Sequence, residues 1–141
     1  MADDGSDFAR SMSIATSGLR AQAGRMRVIS ENIANADSTA PTAAGNPYRR
    51  KVPTFSSALD RTLDARVVTL GKVRTDQSAF RVKHEPSNPA ADAAGNAKYP
   101  NVNPLIEMTD MREAQRSYEA NLNIISATRR MIQRTLDILK A

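Results

Sequence analysis

The sequence predicts a mainly α fold. Long N- and C-terminal helices pack as an antiparallel, coiled-coil-like hairpin, with a small irregular, β-containing segment between them. Three observations carry this. Apolar residues recur at heptad spacing from Asp7 to Ala36. They do so again from Pro104 to Leu139. Six of the seven prolines fall between those two stretches, where a continuous helix is forbidden, and the seventh, Pro104, opens the second. The chain therefore divides into an N-terminal helix over 1–36, a middle module over 37–104 and a C-terminal helix over 105–141, the two helices forming one assembly domain.

The first helix is expected from Asp7, with residues 1–6 frayed and disordered. Met12, Leu19, Met26 and Ile33 are spaced by seven, and Phe8, Ala15, Gln22 and Ile29 form the companion series. Ile14, Ala21 and Val28 widen the stripe. Gly18 and Gly24 each weaken the isolated helix by roughly 1 kcal/mol but let another backbone approach. Such a helix is stable when packed and marginal alone.

Residues 37–51 are rich in small and turn-forming types and read as a loop. In the middle, Ala65–Leu70 and Ala79–Lys83 are the best strand candidates, Val52–Phe55 is a weaker one, and Ser56–Leu63 is expected as a short helix. Residues 85–104 read as loop. The second helix starts at an Asn103 N-cap with Pro104 in the first helical position. From there Met108, Gln115, Leu122, Arg129 and Leu136 form one heptad series. Met111, Tyr118, Ile125, Ile132 and Leu139 form the other.

Composition narrows the function classes. Of 141 residues 40% are hydrophobic but only 4% aromatic, a poor endowment for lining a catalytic pocket. There is no cysteine, which excludes thiolate, disulfide and Cys-metal chemistry. His84 is the only histidine and has no second nitrogen or sulfur ligand to join it. No Ser/His/Asp set, GxGxxG or P-loop motif occurs. Glu107, Asp110, Glu113 and Glu119 alternate with Arg112 and Arg116, a pattern expected on an exposed face with i,i+3 and i,i+4 pairs. No catalytic, metal-binding or cofactor-binding residues are assigned, and no small-molecule substrate is implied. No apolar run reaches the roughly 20 residues of a membrane span. The acidic start of the chain does not read as a cleaved secretory signal.

The net charge is +5. Residues 1–36 and 105–141 are close to neutral, so the excess lies in the middle. Its densest run, Arg49-Arg50-Lys51, is expected to be a solvated or subunit-contacting loop. A small basic nucleic-acid-binding protein is the alternative reading, and diffuse charge without interleaved aromatics argues against it.

Each helix carries a wider apolar face than one partner covers. Mutual packing buries one seam and leaves flanks exposed: Ile14 and Val28 on the first helix, Ile124, Met131 and Ile138 on the second. Long exposed apolar strips mark protein–protein interfaces, and a heterologous, non-closing contact builds a helical polymer. The expected assembly interface comprises Phe8, Met12, Ala15, Leu19, Met26, Ile29 and Ile33 on the first helix. On the second it comprises Met108, Met111, Tyr118, Leu122, Ile125, Ile132, Leu136 and Leu139. Gln22, Gln115 and Arg129 interrupt these stripes, either snorkelling at the rim or setting register.

The segment Ser30-Glu-Asn-Ile-Ala-Asn-Ala-Asp-Ser-Thr39, followed by a Pro/Gly-containing loop and Tyr48, resembles the signature of bacterial flagellar axial proteins, in particular the basal-body rod family. Asn32, Ile33, Ala34, Asn35, Thr39 and Tyr48 carry the match. The longer loop ending in Pro47-Tyr48-Arg49-Arg50-Lys51 is most like a small proximal-rod member. So are Tyr99-Pro-Asn-Val-Asn103 and the run Met108–Asn121. The resemblance implies a non-enzymatic subunit of the rod that transmits motor torque. It implies partners among other rod subunits, copies of itself, and proximal basal-body and export-apparatus proteins. It also implies export by the flagellar type III route without signal cleavage, to the periplasmic part of the flagellum.

Overall fold

The computed structural model describes residues 4–140. Helix α1 runs Asp4–Ala34 and helix α2 runs Pro104–Lys140, with six short strands between them. These are β1 (Lys51–Val52), β2 (Phe55–Asp60), β3 (Ala65–Leu70), β4 (Arg74–Thr75), β5 (Arg81–His84) and β6 (Asn96–Tyr99). They pair as three antiparallel two-stranded sheets, β1–β4, β2–β3 and β5–β6. Of the frayed start expected over 1–6, residues 1–3 lie outside the described residues, and α1 already includes Asp4.

The helix ends follow from local chemistry. Asn103 Oδ1 accepts the Leu105 N–H at 3.1 Å, the N-cap bond expected there. At the end of α1, Asn35 donates its side-chain amide to the Glu31 carbonyl at 2.8 Å, and Ser38 Oγ donates to the Asn35 carbonyl at 2.9 Å. Both satisfy carbonyls that a helix terminus leaves without partners.

The middle segment departs from the expectation in three places. Ser56–Leu63 is not a helix: Phe55–Asp60 pairs residue for residue with Ala65–Leu70. Eight residues opening on two serines nucleate a helix poorly, whereas the hairpin closes on a tight turn. In that turn Asp60 Oδ1 accepts the Thr62 N–H at 2.9 Å, and Asp64 takes a left-handed φ of 47°. Residues 85–104 are not all loop, because β6 returns to β5 through Gly95 at φ 81°. The strand expected over Ala79–Lys83 lies slightly later, at β5, while Ala65–Leu70 coincides with β3.

The described residues form two compact units. The first takes α1 up to Met26, Thr54–Lys72 and α2 from Glu113. Inside it the helices run antiparallel: Gly18 sits against the Asn121 side chain, and Arg25 pairs with Glu113 at 3.4 Å. The β2–β3 hairpin packs on α1, with Leu70 filling the space beside Gly24. Ser17 Oγ bonds the Val68 N–H at 3.2 Å, and Arg10 Nε donates to the Leu63 carbonyl at 2.7 Å. The second unit takes Arg27–Pro53 and Val73–Arg112. There too α1 and α2 are antiparallel, with Asn32 against Glu107.

The core is thin. Among the described residues, eight of the twelve buried apolar ones are alanine. Fifteen large apolar side chains among them are exposed, nine of these on α2. Small residues let backbones approach closely but bury little area, so each contributes little hydrophobic stabilisation.

Candidate assembly site and the lock behind it

The inward face of α2 is set by burial along the helix. Glu107, Ala114 and Thr128 are buried, and Asn121 between them is half-buried. These four residues are spaced by seven, and they pair with the half-buried series Met111, Tyr118, Ile125 and Ile132. The second of these is the series expected from sequence. The first is not. The expected companion series, Met108, Gln115, Leu122, Arg129 and Leu136, is exposed throughout. It lies one position round the helix from the true seam, because small and polar residues permit closer packing than Met and Leu.

This places the polar interruptions. Gln115 and Arg129 sit on the open flank of α2 and break no internal seam. Gln22 differs: its Oε1 is buried with no hydrogen-bond partner, a deficit worth about 1–3 kcal/mol when left unmet.

On α1, Ala15 and Ile29 are buried, and Phe8, Met12, Leu19, Met26 and Ile33 are half-buried. Of the flanks expected to stay open, Ile14, Ile124, Met131 and Ile138 are exposed. Val28 is not: it is buried, and it lines one hollow with Val73 and with Lys51 and Thr75 of the β1–β4 pair. The middle module covers more of α1 than the sequence implied.

The motif residues meet in the second unit. Asn32 is fully buried and uses its whole side-chain capacity. Its amide donates to the Lys51 carbonyl at 2.8 Å and to Glu107 Oε2 at 3.0 Å. Its Oδ1 accepts the Tyr48 hydroxyl at 2.8 Å and the Lys51 N–H at 2.9 Å. One side chain thus joins α1, the loop strand and the first turns of α2. Of the other motif residues, Asn35 caps α1, Ile33 and Thr39 are half-buried and Ala34 is exposed.

Glu107 is also fully buried, which corrects its expected place on a solvated ion-pair face. Its partner is Arg50 at 2.5 Å, not Arg112 or Arg116. Arg50 reaches Asp110 at 3.6 Å and Asp76 at 3.9 Å as well. A buried carboxylate survives only where a cation and hydrogen bonds replace its water. The helix start also contributes positive potential. Burial, then the nearby Glu31 and Glu107 carboxylates, push the Tyr48 phenol up to about 12.

The basic run is therefore not a solvated loop. Arg49 lies over the Phe80 ring at 4.2 Å and donates to the Ser78 carbonyl at 3.2 Å. Lys51 pairs with Glu31. With these three side chains engaged inside the unit, the nucleic-acid reading loses its strongest motif.

Sequence reasoning also missed Asn101 and Arg81. Asn101 Oδ1 accepts the Arg50 N–H at 2.8 Å, while its amide donates to the Asp76 carbonyl at 3.1 Å. Arg81 ties the Ala36 carbonyl (2.6 Å) to that of Pro100 (2.9 Å). A signal for Glu107 was present: it falls in heptad phase with Ala114, Asn121 and Thr128. No comparable periodicity marks loop residues. Among the described residues no group of His, Asp or Glu is placed to hold a metal ion, and no helix is long and apolar enough to cross a membrane.

Two family models match the chain. "Flagella basal body rod protein" covers residues 12–40, and "Flagellar basal body rod FlgEFG protein C-terminal" covers residues 93–138. The flagellar basal-body rod protein FlgC of Agrobacterium fabrum is 52% identical over 128 residues, spanning 91% of this chain and 92% of that protein. The protein of the same name from Bacillus subtilis is 37% identical, over 92% and 97% of the two chains. That of Salmonella typhimurium is 38% identical, over 89% and 92%. The two regions matched by the models contain most of both helices and the lock residues Asn32, Asn101 and Glu107. Likeness at this level over nearly the full length of both chains means that the chain belongs to the FlgC family of flagellar basal-body rod proteins, a structural family and not one of enzymes.

Proposed function

We propose that this chain is a subunit of the proximal rod of the bacterial flagellum, polymerising through its terminal helices into the tubular shaft that transmits motor torque. Kinship supports its place in a rod beside other rod subunits. The observation that carries the mode of assembly is the pair of exposed apolar flanks of α2. Met108, Leu122 and Leu136 on one side of the seam, and Ile124, Met131 and Ile138 on the other, are each at least 42% exposed along a regular helix. Apolar flanks of that length in water are a cost unless another subunit covers them. Lying outside the internal seam, they are free to be an interface.

Within this reading the chain leaves the cytoplasm through the flagellar type III export apparatus, with no signal cleaved, and orders at the growing tip in the periplasmic space. The alanine-rich core supports coupling of order to assembly, because little of the stabilisation available to these helices comes from within the chain.

The test is Leu122→Asp expressed as the sole copy of the gene. Export of the subunit should continue while rod completion and swimming fail. Normal swimming would overturn the proposal. Locating the subunit by cryo-electron microscopy of isolated rods checks the proximal position.

A further inference from the structure

We infer that the buried ion pair Arg50–Glu107, with Asn32 behind it, is a positioning device: it fixes the rotation of α2 about its own axis against the helix's apolar pattern, and so keeps Leu122 and Leu136 on the surface. What those surface residues are for rests on the rod-subunit reading. The rotation itself does not.

The first turns of α2 bury the residue that water favours most. Leu105, Ile106 and Met108 are 74%, 53% and 52% exposed, while the carboxylate among them, Glu107, is fully buried. Small size explains the burial of Ala114. It does not explain Glu107, which is among the largest fully buried side chains. Specific partners hold it instead. Arg50 Nε lies 2.5 Å from one carboxylate oxygen, and the Asn32 amide lies 3.0 Å from the other. Arg50 is itself positioned, because its backbone N–H donates to Asn101 Oδ1 and its guanidinium also reaches Asp76 and Asp110.

A competing rotation is written in the same helix. The half-buried series Met111, Tyr118, Ile125 and Ile132 has a neighbouring series on either side. Its observed companion is Glu107, Ala114, Asn121 and Thr128. Turning the helix by about 50°, half of the step between successive helical residues, would exchange these for Met108, Gln115, Leu122, Arg129 and Leu136. Three large apolar side chains would go in, and Gln115 and Arg129 would reach water from the rim. Only an alanine, an amide, a hydroxyl and the carboxylate would come out. Apolar area therefore favours the turn. The ion pair opposes it, because the turn draws Glu107 away from Arg50 and takes an acceptor from the Asn32 amide. α2 is one continuous helix, so the rotation held at Glu107 is carried to Ala114 and beyond. Setting register against an apolar alternative is the best-attested use of a buried polar contact.

The chain has no cysteine, which makes single introduced thiols unambiguous reporters. Ala114 is fully buried and its neighbour Gln115 is exposed, so Ala114→Cys reports the seam and Gln115→Cys the competing face. Full-length chains are labelled with a maleimide at a concentration where sedimentation velocity gives a monomer. With the ion pair intact, Gln115→Cys should react roughly ten-fold or more faster than Ala114→Cys. Arg50→Ala/Glu107→Ala removes both charges together and adds no apolar bulk to the observed seam. In that background Gln115→Cys should slow several-fold while Ala114→Cys speeds up. Arg50→Ala/Glu107→Met, which gives the observed seam an apolar side chain, should return both rates to their original order.

The slowing is the deciding sign, because a loosened fold speeds Ala114→Cys but does not slow Gln115→Cys. Slowing that the methionine variant reverses establishes the inference. Slowing that it does not reverse, or a Gln115→Cys rate as fast as with the ion pair intact, overturns it. Where circular dichroism shows the double-alanine chain unfolded, the same rates are read in Arg50→Lys, which keeps the charge without the forked reach, and slowing of Gln115→Cys again decides. All these rates belong to a monomer. Their failure leaves the rod-subunit reading standing, and the swimming phenotype of Leu122→Asp judges that reading by itself.

Discussion

Asn32 shows how one small amide can organise several elements. All four of its hydrogen-bonding positions are filled, and its partners lie on the Tyr48–Lys51 segment and on α2. Replacing it by alanine strands the Lys51 backbone and removes a donor from the Glu107 carboxylate. Asn32→Ala should therefore cost about 3 kcal/mol in urea unfolding, and Asn32→Asp, which adds a like charge beside Glu107, at least as much. Tyr48 supplies a pH signature for the same site. Folding raises its pKa from 10.0 to about 12, so the folded state favours the protonated phenol. The associated stability is fully present below pH 10 and is lost as pH rises through 12. Solvent screening at this half-buried ring limits the effect to at most about 2 kcal/mol. Alkaline unfolding curves should show this loss in the native chain and not in Tyr48→Phe.

At the scale of elements, the hairpin β2–β3 depends on an absence. A Cβ at Gly24 would lie 2.7 Å from Leu70 Cδ2. Leu70 is flexible enough to yield to a methyl group, and alanine gains roughly 1 kcal/mol of helix propensity. Gly24→Ala should thus be close to neutral in thermal unfolding. Gly24→Leu should lose about 1–3 kcal/mol as the hairpin is displaced. The same logic explains the seam of α2. Ala114, Asn121 and Thr128 allow close approach on one face, and the bulky residues one position away are turned outward. Apolar periodicity by itself favours Met108, Leu122 and Leu136 for the seam. The correct phase is carried by residue size, and it becomes visible only when both helices are placed.

At the scale of the whole molecule, stability and assembly draw on different residues. Leu122 is 42% exposed and Leu139 77% exposed, so neither contributes much to the fold of one chain. Leu122→Asp should change the unfolding free energy by less than about 0.5 kcal/mol while abolishing rod completion, measured by denaturation of the purified chain and by swimming in soft agar. Ile33 is half-buried beside the lock, so Ile33→Asp should lose both folding stability and swimming. This division suits a subunit that must stay soluble until it meets its neighbours. The small core holds each unit together, and in the proposed assembly the exposed flanks are covered by another chain.

By itself the sequence determined the two helices, the N-cap at Asn103, the strand at Ala65–Leu70 and the motif from Asn32 to Thr39. Each of these is written in local propensity, period or a run of specific residues. Only the tertiary structure decided what the motif is for. Glu107, Arg50 and Asn101 are separated in sequence from Asn32, and an exposed acidic helix start and a basic loop are what their local patterns resemble. Their burial follows from long-range pairing, which no local window contains. The same holds for the hairpin at Phe55–Leu70, where eight residues with weak preferences took the conformation their strand partner imposed. The amphipathic ends were legible as stripes. Which side of each stripe closes the fold, and which is left exposed, depended on the size of the residues facing across the seam.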